Sequence, residues 1–309
     1  MLYVQIITDK WTDAAGYTPP FPMYSNTTGD QGSRFVDLNG DGRMDFVYHL
    51  WTPYKIFKGA FINDPGSETF VSAANFEPPF PVAANNGSDL GTRFVDLNGD
   101  GKVDFVYHRW INSVVVHKGA YLNTGEGWMS SPEYIPPFHI AHDNHGDLGA
   151  RFIEMNGDGK IDFVYHRRLS GGRQQKGAYI NTGNGWEEAP QYTPPYPIAD
   201  DEVSDSSARF VDINGDGRMD LVYHRWRNGN PAEKGAYINN GLTWVWSPEY
   251  TPPFHITSGC ITDLGARFVD LNGDGRVDFV YHRWINNKVA QKADHVGDLG
   301  AKFVDINAN

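Results

Sequence analysis

Oxygen-bearing side chains recur through this sequence at a spacing suited to one chemistry, the capture of a hard cation. In residues 37–45, DLNGDGRMD, carboxylate or amide oxygens stand at positions 1, 3, 5 and 9, and position 7 offers its backbone carbonyl. Ca2+ takes six to eight oxygens at about 2.3–2.6 Å, and glycine after position 5 permits the sharp turn that points them inward. The candidate ligands of the first loop are Asp37, Asn39, Asp41, Arg43 and Asp45, and those of the second are Asp96, Asn98, Asp100, Lys102 and Asp104. Glu154, Asn156, Asp158, Lys160 and Asp162 form the third set, Asp212, Asn214, Asp216, Arg218 and Asp220 the fourth, and Asp270, Asn272, Asp274, Arg276 and Asp278 the fifth. Arg43, Lys102, Lys160, Arg218 and Arg276 enter through their carbonyls alone. Glu154 stands where the other loops have Asp, which predicts a looser or weaker loop. A further copy beginning at Asp305 lacks its later ligands and should hold no metal alone.

Three carboxylates in each of five loops account for 15 of the 38 acidic residues, and five Ca2+ would offset ten of the twelve formal negative charges. Without metal, the same residues would form acidic Asx turns. A closed oxygen cage leaves no open coordination position, so these loops would pin structure rather than carry out catalysis. The net charge of −12 argues against a nucleic-acid partner, whose phosphates would be repelled. No run approaches the roughly 18 apolar residues of a membrane span. Cys260 is the single cysteine, so an intrachain disulfide is impossible and stability must come from packing and bound ions.

The loops sit in a longer repeat. The segment RFVDLNGDGRMDFVYH recurs at 34–49, 93–108, 151–166, 209–224 and 267–282, with spacings of 59, 58, 58 and 58 residues. Between copies lie a KGAYLNTGEGW-like block, a PEYIPPFHI-like segment and a Gly-Asp-Leu-Gly turn. The segments ARFVD, DFVYHRW and KGAYLN read as strands, being short and rich in β-branched and aromatic residues. The proline-bearing YTPPF segment reads as a fourth strand at an outer edge. Four short strands per unit is the all-β propeller pattern.

A solenoid would repeat as well, but the two ends of this sequence fit a ring. After Lys292 the text jumps to ADHVGDLGAKFVD, omitting about 23 residues, and residues 1–32 resemble the missing half, with Trp11 aligned on Trp244. The expected organisation is a single β-propeller domain over 1–309, with units at 33–91, 92–149, 150–207, 208–265, and 266–292 joined to 1–32 in one blade. That gives five blades, or six if residues 293–309 complete a further one, the alternative being exchange of terminal strands between molecules.

Beyond the loops each unit repeats polar and aromatic groups that a turn does not require. The candidate ligand-binding residues are His108, Arg109, Trp110, Tyr121 and Asn123, with His224, Arg225, Trp226, Tyr237 and Asn239 as a second full set. Other copies depart from it, with Leu50 in place of Arg and Arg168 in place of Trp. An aromatic plate ringed by donors suits a sugar, whose C–H face packs on the ring while Arg, Asn and His bond its hydroxyls. The competing reading puts the same residues in the core between blades. His142 and His145 belong to one unit alone and could form a metal or surface cluster.

A helix on each side of the loop and a Glu at position 12 would mark an EF-hand. Here position 12 of the first loop is Tyr48, inside a predicted strand. The loops instead resemble the FG-GAP or VCBS repeats of integrin α-subunit propellers, at every copy. The resemblance implies Ca2+ ligands at positions 1, 3, 5, 7 and 9, about five ions in all. More loosely, the chain is similar to the PVL-type mushroom lectins, whose pockets lie between blades. The expected function is multivalent, calcium-stabilised carbohydrate binding, with glycans or glycoproteins as partners. The alternative is an integrin-like protein-binding or adhesive propeller capable of self-association. An enzyme is not expected, because catalysis needs one asymmetric constellation and nearly every candidate here has counterparts in other units. Secretion is expected from the calcium loops and the sequons at Asn26 and Asn86. The first residues do not read as a signal peptide, so a leader would lie outside this sequence.

Overall fold

The computed structural model describes residues 15–111, 115–143, 146–201, 204–227, 230–258, 263–285 and 288–294. Of the expected shared closing blade, residues 15–32 and most of 266–292 are described, while Trp11 and residues 295–309 lie outside the described residues, as do Cys260 and His145. The chain forms two compact units, Met1–Gly87 and Ser88–Asn309.

In the first unit, the strands Ser33–Val36, Asp45–Trp51, Ile56–Asp64 and Thr69–Ser72 pair antiparallel in sequence order. Ala83–Ala84 adds a short parallel pairing to the end of the second strand. The second unit repeats this plan. Its sheets comprise Thr92–Val95, Asp104–Ile111, Val115–Asn123 and Trp128–Ser130; then Ala150–Ile153, Asp162–Arg168, Gln174–Asn181 and Trp186–Glu188; then Ala208–Val211, Asp220–Arg227, Asn230–Asn239 and Trp244–Trp246. A fifth sheet has three described strands, Ala266–Val269, Asp278–Ile285 and Lys288–Asp294. The chain is thus all-β, built of repeated small antiparallel sheets.

The first three strands fall where the apolar and β-branched runs place them, but the fourth does not. It is the three-residue segment opened by Trp128, Trp186 or Trp244, while the proline segment forms a 3-10 turn such as Pro132–Tyr134 followed by irregular chain. Two successive prolines offer no N–H to a ladder. Their segment is held differently. The ring Nδ1 of His108 donates to the carbonyl of Pro136 at 2.7 Å, and the backbone carbonyl of His108 accepts from Ile140 at 2.8 Å. His49, His166 and His224 hold Pro78, Pro194 and Pro252 in the same way.

Within the second compact unit, core clusters join neighbouring sheets rather than lying inside one. Leu97, Val106, Ile140 and Tyr134 of one sheet pack with Ala150 and Phe163 of the next. Met155, Val164, Tyr192 and Ile198 pack in turn with Ala208 and Leu221. An aromatic ladder follows the same path: Phe138 stacks on Tyr165 at 4.0 Å between centroids, Tyr196 on Tyr223 at 3.6 Å, and Phe254 on Tyr281 at 4.8 Å. Each of Tyr107, Tyr165 and Tyr223 also lies over a glycine of the third strand. A Cβ on Gly119 would stand 2.6 Å from the ring of Tyr107, which explains the glycine in every KGAY block.

Candidate metal loops and their surroundings

Each nine-residue loop joins the first and second strands of its sheet. It begins on a carboxylate that folds the backbone around itself: Asp37 accepts N–H bonds from Gly40 and Gly42, both at 2.8 Å. Asp96, Asp212 and Asp270 do the same with the glycines at positions 4 and 6 of their loops. Both glycines take positive φ, for example +76° and +81° at Gly40 and Gly42, a conformation costly for other residues. The Asn at position 3 accepts from the amide of position 5, and the Asp at position 5 from that of position 7. Glu154 differs from the other four: it accepts from Gly157 at 2.7 Å, and Gly159 makes no corresponding bond.

The ninth residue is buried and works inward. Asp104 accepts from the amide of Leu97 at position 2 and from that of Asn123 at the end of the third strand, both at 2.7 Å. Asp45, Asp162 and Asp220 repeat both bonds. The residue at position 2 is a hydrophobic plug, fully buried at Leu38, Leu97 and Met155, whereas Leu271, which no following described sheet covers, is 59% exposed. Its carbonyl then receives the next sheet. Asn181 donates to the carbonyl of Leu97 and Asn239 to that of Met155, each at 2.7 Å. A loop therefore fixes its own hairpin and, through the plug, its neighbour.

Among the described residues no three His, Cys, Asp or Glu converge as a ready-made cation cage. Lys102 stands 2.9 Å from Asp100, Lys160 3.2 Å from Asp158, and Arg218 2.6 Å from Asp216, so a side-chain cation of position 7 sits on the carboxylate of position 5. The donor chemistry nonetheless fits a hard divalent cation. Burial, reinforced by the nearby loop carboxylates, pushes Asp104 and Asp220 up to about 6 and Asp162 to about 7, against the opposing bonds from backbone amides. That excess of negative charge is what a bound Ca2+ would offset. The residues that would hold it are those at positions 1, 3, 5 and 9, with the carbonyl of position 7.

The residues expected to bind a ligand take mostly interior positions. His108 and His224 are 5% and 4% exposed and are committed to the proline carbonyls; burial lowers both to about 4, so they are neutral near neutral pH. Asn123 and Asn239 are buried struts at the loops. Arg225 is 1% exposed and paired with Asp200 at 3.2 Å. Tyr121 packs on Phe105, and Tyr237 on Tyr223 and Trp246. The strand alternation had suggested an accessible ring-and-donor pocket; interdigitation of adjacent sheets instead buries most of its donors. Arg109 and Trp110 stay half-buried and Trp226 is 43% exposed. His139 and His255, which sequence reasoning passed over, lie against these tryptophans: His139 stacks on Trp110 at 5.0 Å and His255 stands 6.1 Å from Trp226. Their signal was the replacement of the proline after Pro-Pro-Phe or Pro-Pro-Tyr, seen at Pro81 and Pro197, by histidine. His142 sits edge-on to Trp110, with Asp143 2.9 Å away.

Comparison with known proteins bears on the loops and the repeat. Residues 154–223 match the FG-GAP-like repeat, a span that holds two loops, 154–162 and 212–220, and the strands between them. Residues 93–105 match the EF hand. In this structure those residues run strand–loop–strand, so the second match reflects ligand spacing and not flanking helices. The T-cell immunomodulatory protein homolog of Plasmodium falciparum (isolate 3D7) is 25% identical over 275 residues, covering 80% of this chain. This chain spans only 36% of that protein's length. No helix among the described residues is long and apolar enough to cross a membrane. Loop spacing, strand order and these matches agree, and the chain carries FG-GAP-like repeats with loops of the calcium-binding type.

Proposed function

We propose that this chain is a calcium-stabilised, integrin-like propeller of five blades, or six with the last copy, that binds protein partners outside the cell and is not an enzyme. One observation carries the preference for protein over sugar. The polar groups a sugar site would need, His108, Asn123, His224, Arg225 and Asn239, are spent on internal bonds, while the outward groups are aromatic, with Trp51 and Trp226 each 43% exposed. Partly exposed tryptophans are the residue type that dominates protein interfaces. The FG-GAP-like match supports the same reading. In it about five Ca2+ hold the loops, and repetition of the unit supplies valency.

The test is binding of the calcium-loaded chain to arrayed extracellular domains and, in parallel, to arrayed glycans. Capture of protein ectodomains after enzymatic deglycosylation, weakened by Trp226→Ala, supports the proposal; binding confined to glycans would return the carbohydrate reading to first place. Calcium itself is tested by thermal melting. Each site filled at 100 times its Kd adds about 2.7 kcal/mol, so chelation should lower Tm by many degrees. An unchanged Tm in a metal-free sample would remove the metal from the proposal.

A further inference from the structure

Every loop carries Asn followed by Gly at positions 3 and 4: Asn39–Gly40, Asn98–Gly99, Asn156–Gly157, Asn214–Gly215 and Asn272–Gly273. We propose that these five bonds are sites of spontaneous deamidation gated by the loop, and that Asn156 is the first to convert. In this reaction the glycine nitrogen attacks the Asn side-chain carbonyl carbon. The new C–N bond closes a succinimide as the bond to the side-chain nitrogen breaks, and the proton shed by the glycine nitrogen is relayed through water to that nitrogen, which leaves as ammonia. Water then opens the ring to Asp or to isoAsp, so that overall Asn and water give the acid and ammonia. Glycine favours the attack because it has no side chain to obstruct it.

The folded loop opposes each requirement. The attacking nitrogen must shed its proton, yet that N–H is donated to the carboxylate at position 1, at 2.8 Å for Gly40 and Gly99, 2.7 Å for Gly157 and Gly215, and 2.6 Å for Gly273. A neighbouring negative charge disfavours a nascent amide anion. The Asn carbonyl oxygen is held by the amide of position 5, at 3.0 Å in the third loop and 3.0–3.1 Å elsewhere. Water is at hand, because all five glycines are exposed. Protection therefore rests on how firmly the carboxylate at position 1 is anchored.

In four loops it is anchored at least twice, to the glycines at positions 4 and 6, and in three of these also to the amide of position 5. Glu154 holds Gly157 alone, on a side chain with one more rotatable bond. Release of a single bond frees the Gly157 nitrogen. Conversion to Asp would give the loop a fourth carboxylate, and ligand charge tunes Ca2+ affinity. Conversion to isoAsp would lengthen the loop backbone by one atom and spoil its spacing.

The full chain, calcium-loaded and chelated, is incubated at mildly alkaline pH, and Asp and isoAsp peptides are quantified by mass spectrometry. Asn86–Gly87, Asn184–Gly185 and Asn240–Gly241, outside the loops, serve as internal comparators. In the loaded chain Asn156 should convert severalfold faster than the other four loop sites. Glu154→Asp should slow it to their rate, and chelation should accelerate the loop sites relative to the comparators. The inference is overturned if Asn156 does not lead, if Glu154→Asp leaves its rate unchanged, or if chelation speeds the comparators equally. The chelation arm rests on the calcium reading above. If metal analysis finds no bound Ca2+, that reading fails, and the Asn156 ranking with the Glu154→Asp rate still decides this one.

Discussion

Asn239→Ala tests the claim that sheets are joined through the loops. The Asn239 side chain is fully buried; its Nδ2 donates to the carbonyl of Met155 in the preceding sheet at 2.7 Å, and its Oδ1 accepts from Gly241 at 3.0 Å. Truncation removes two hydrogen bonds worth about 1 kcal/mol each and leaves a buried carbonyl without its partner, a further cost of about 1–3 kcal/mol. A total near 3 kcal/mol should lower Tm by roughly 6–12 °C, since 1 kcal/mol moves the midpoint about 2–4 °C in a cooperative unit of 150–250 residues. Asn181→Ala should behave alike, because its Nδ2 reaches the carbonyl of Leu97 at 2.7 Å. Asn184→Ala, at an exposed turn, should stay within about 0.5 kcal/mol. The assay is thermal and urea denaturation of the calcium-loaded chain. A loss below about 1 kcal/mol for both buried variants would show that the Asn residues follow the packing and do not fasten it.

The buried histidines set an acid limit. His166 is held neutral with its titration lowered to about 4, so the unfolded chain takes up a proton below about 6.5 that the fold refuses. Its contribution is therefore constant above 6.5, falls as pH drops from 6.5 to 4, and is flat below, a change on the order of 3 kcal/mol. The raised carboxyls of Asp104, Asp162 and Asp220 run the opposite way in this window, so the clean measurement is a difference. The stability advantage of the native chain over His166→Asn should shrink between pH 6.5 and 4; a pH-independent difference would refute the assignment. Gly119→Ala should destabilise by about 1–3 kcal/mol, because its methyl would meet the Tyr107 ring at 2.6 Å. Glycine within a strand otherwise gains stability on replacement by Ala, so a neutral or stabilised variant in urea titration would show that the ring does not occupy that space.

The chain by itself determined the loops and the repeat. Their chemistry is local: nine consecutive residues supply both the donors and the glycines at positive φ, and a period of 58 residues is visible in one dimension. The first three strands were legible for the same reason, since β-branched and aromatic runs such as DFVYH bias a short segment toward a sheet. The fourth strand was not, because a three-residue strand at Trp128 carries almost no pattern, while the neighbouring prolines draw the eye and form no ladder. What only the tertiary structure decided was which way repeated polar groups face. His108, Asn123 and Arg225 look the same in sequence whether they greet a ligand or a neighbouring sheet. Their side-chain partners, the carbonyl of Pro136, that of Val103 and the carboxylate of Asp200, lie 28, 20 and 25 residues away. A buried polar group must be paired to be tolerated, and pairing across such separations exists only once the sheets have packed.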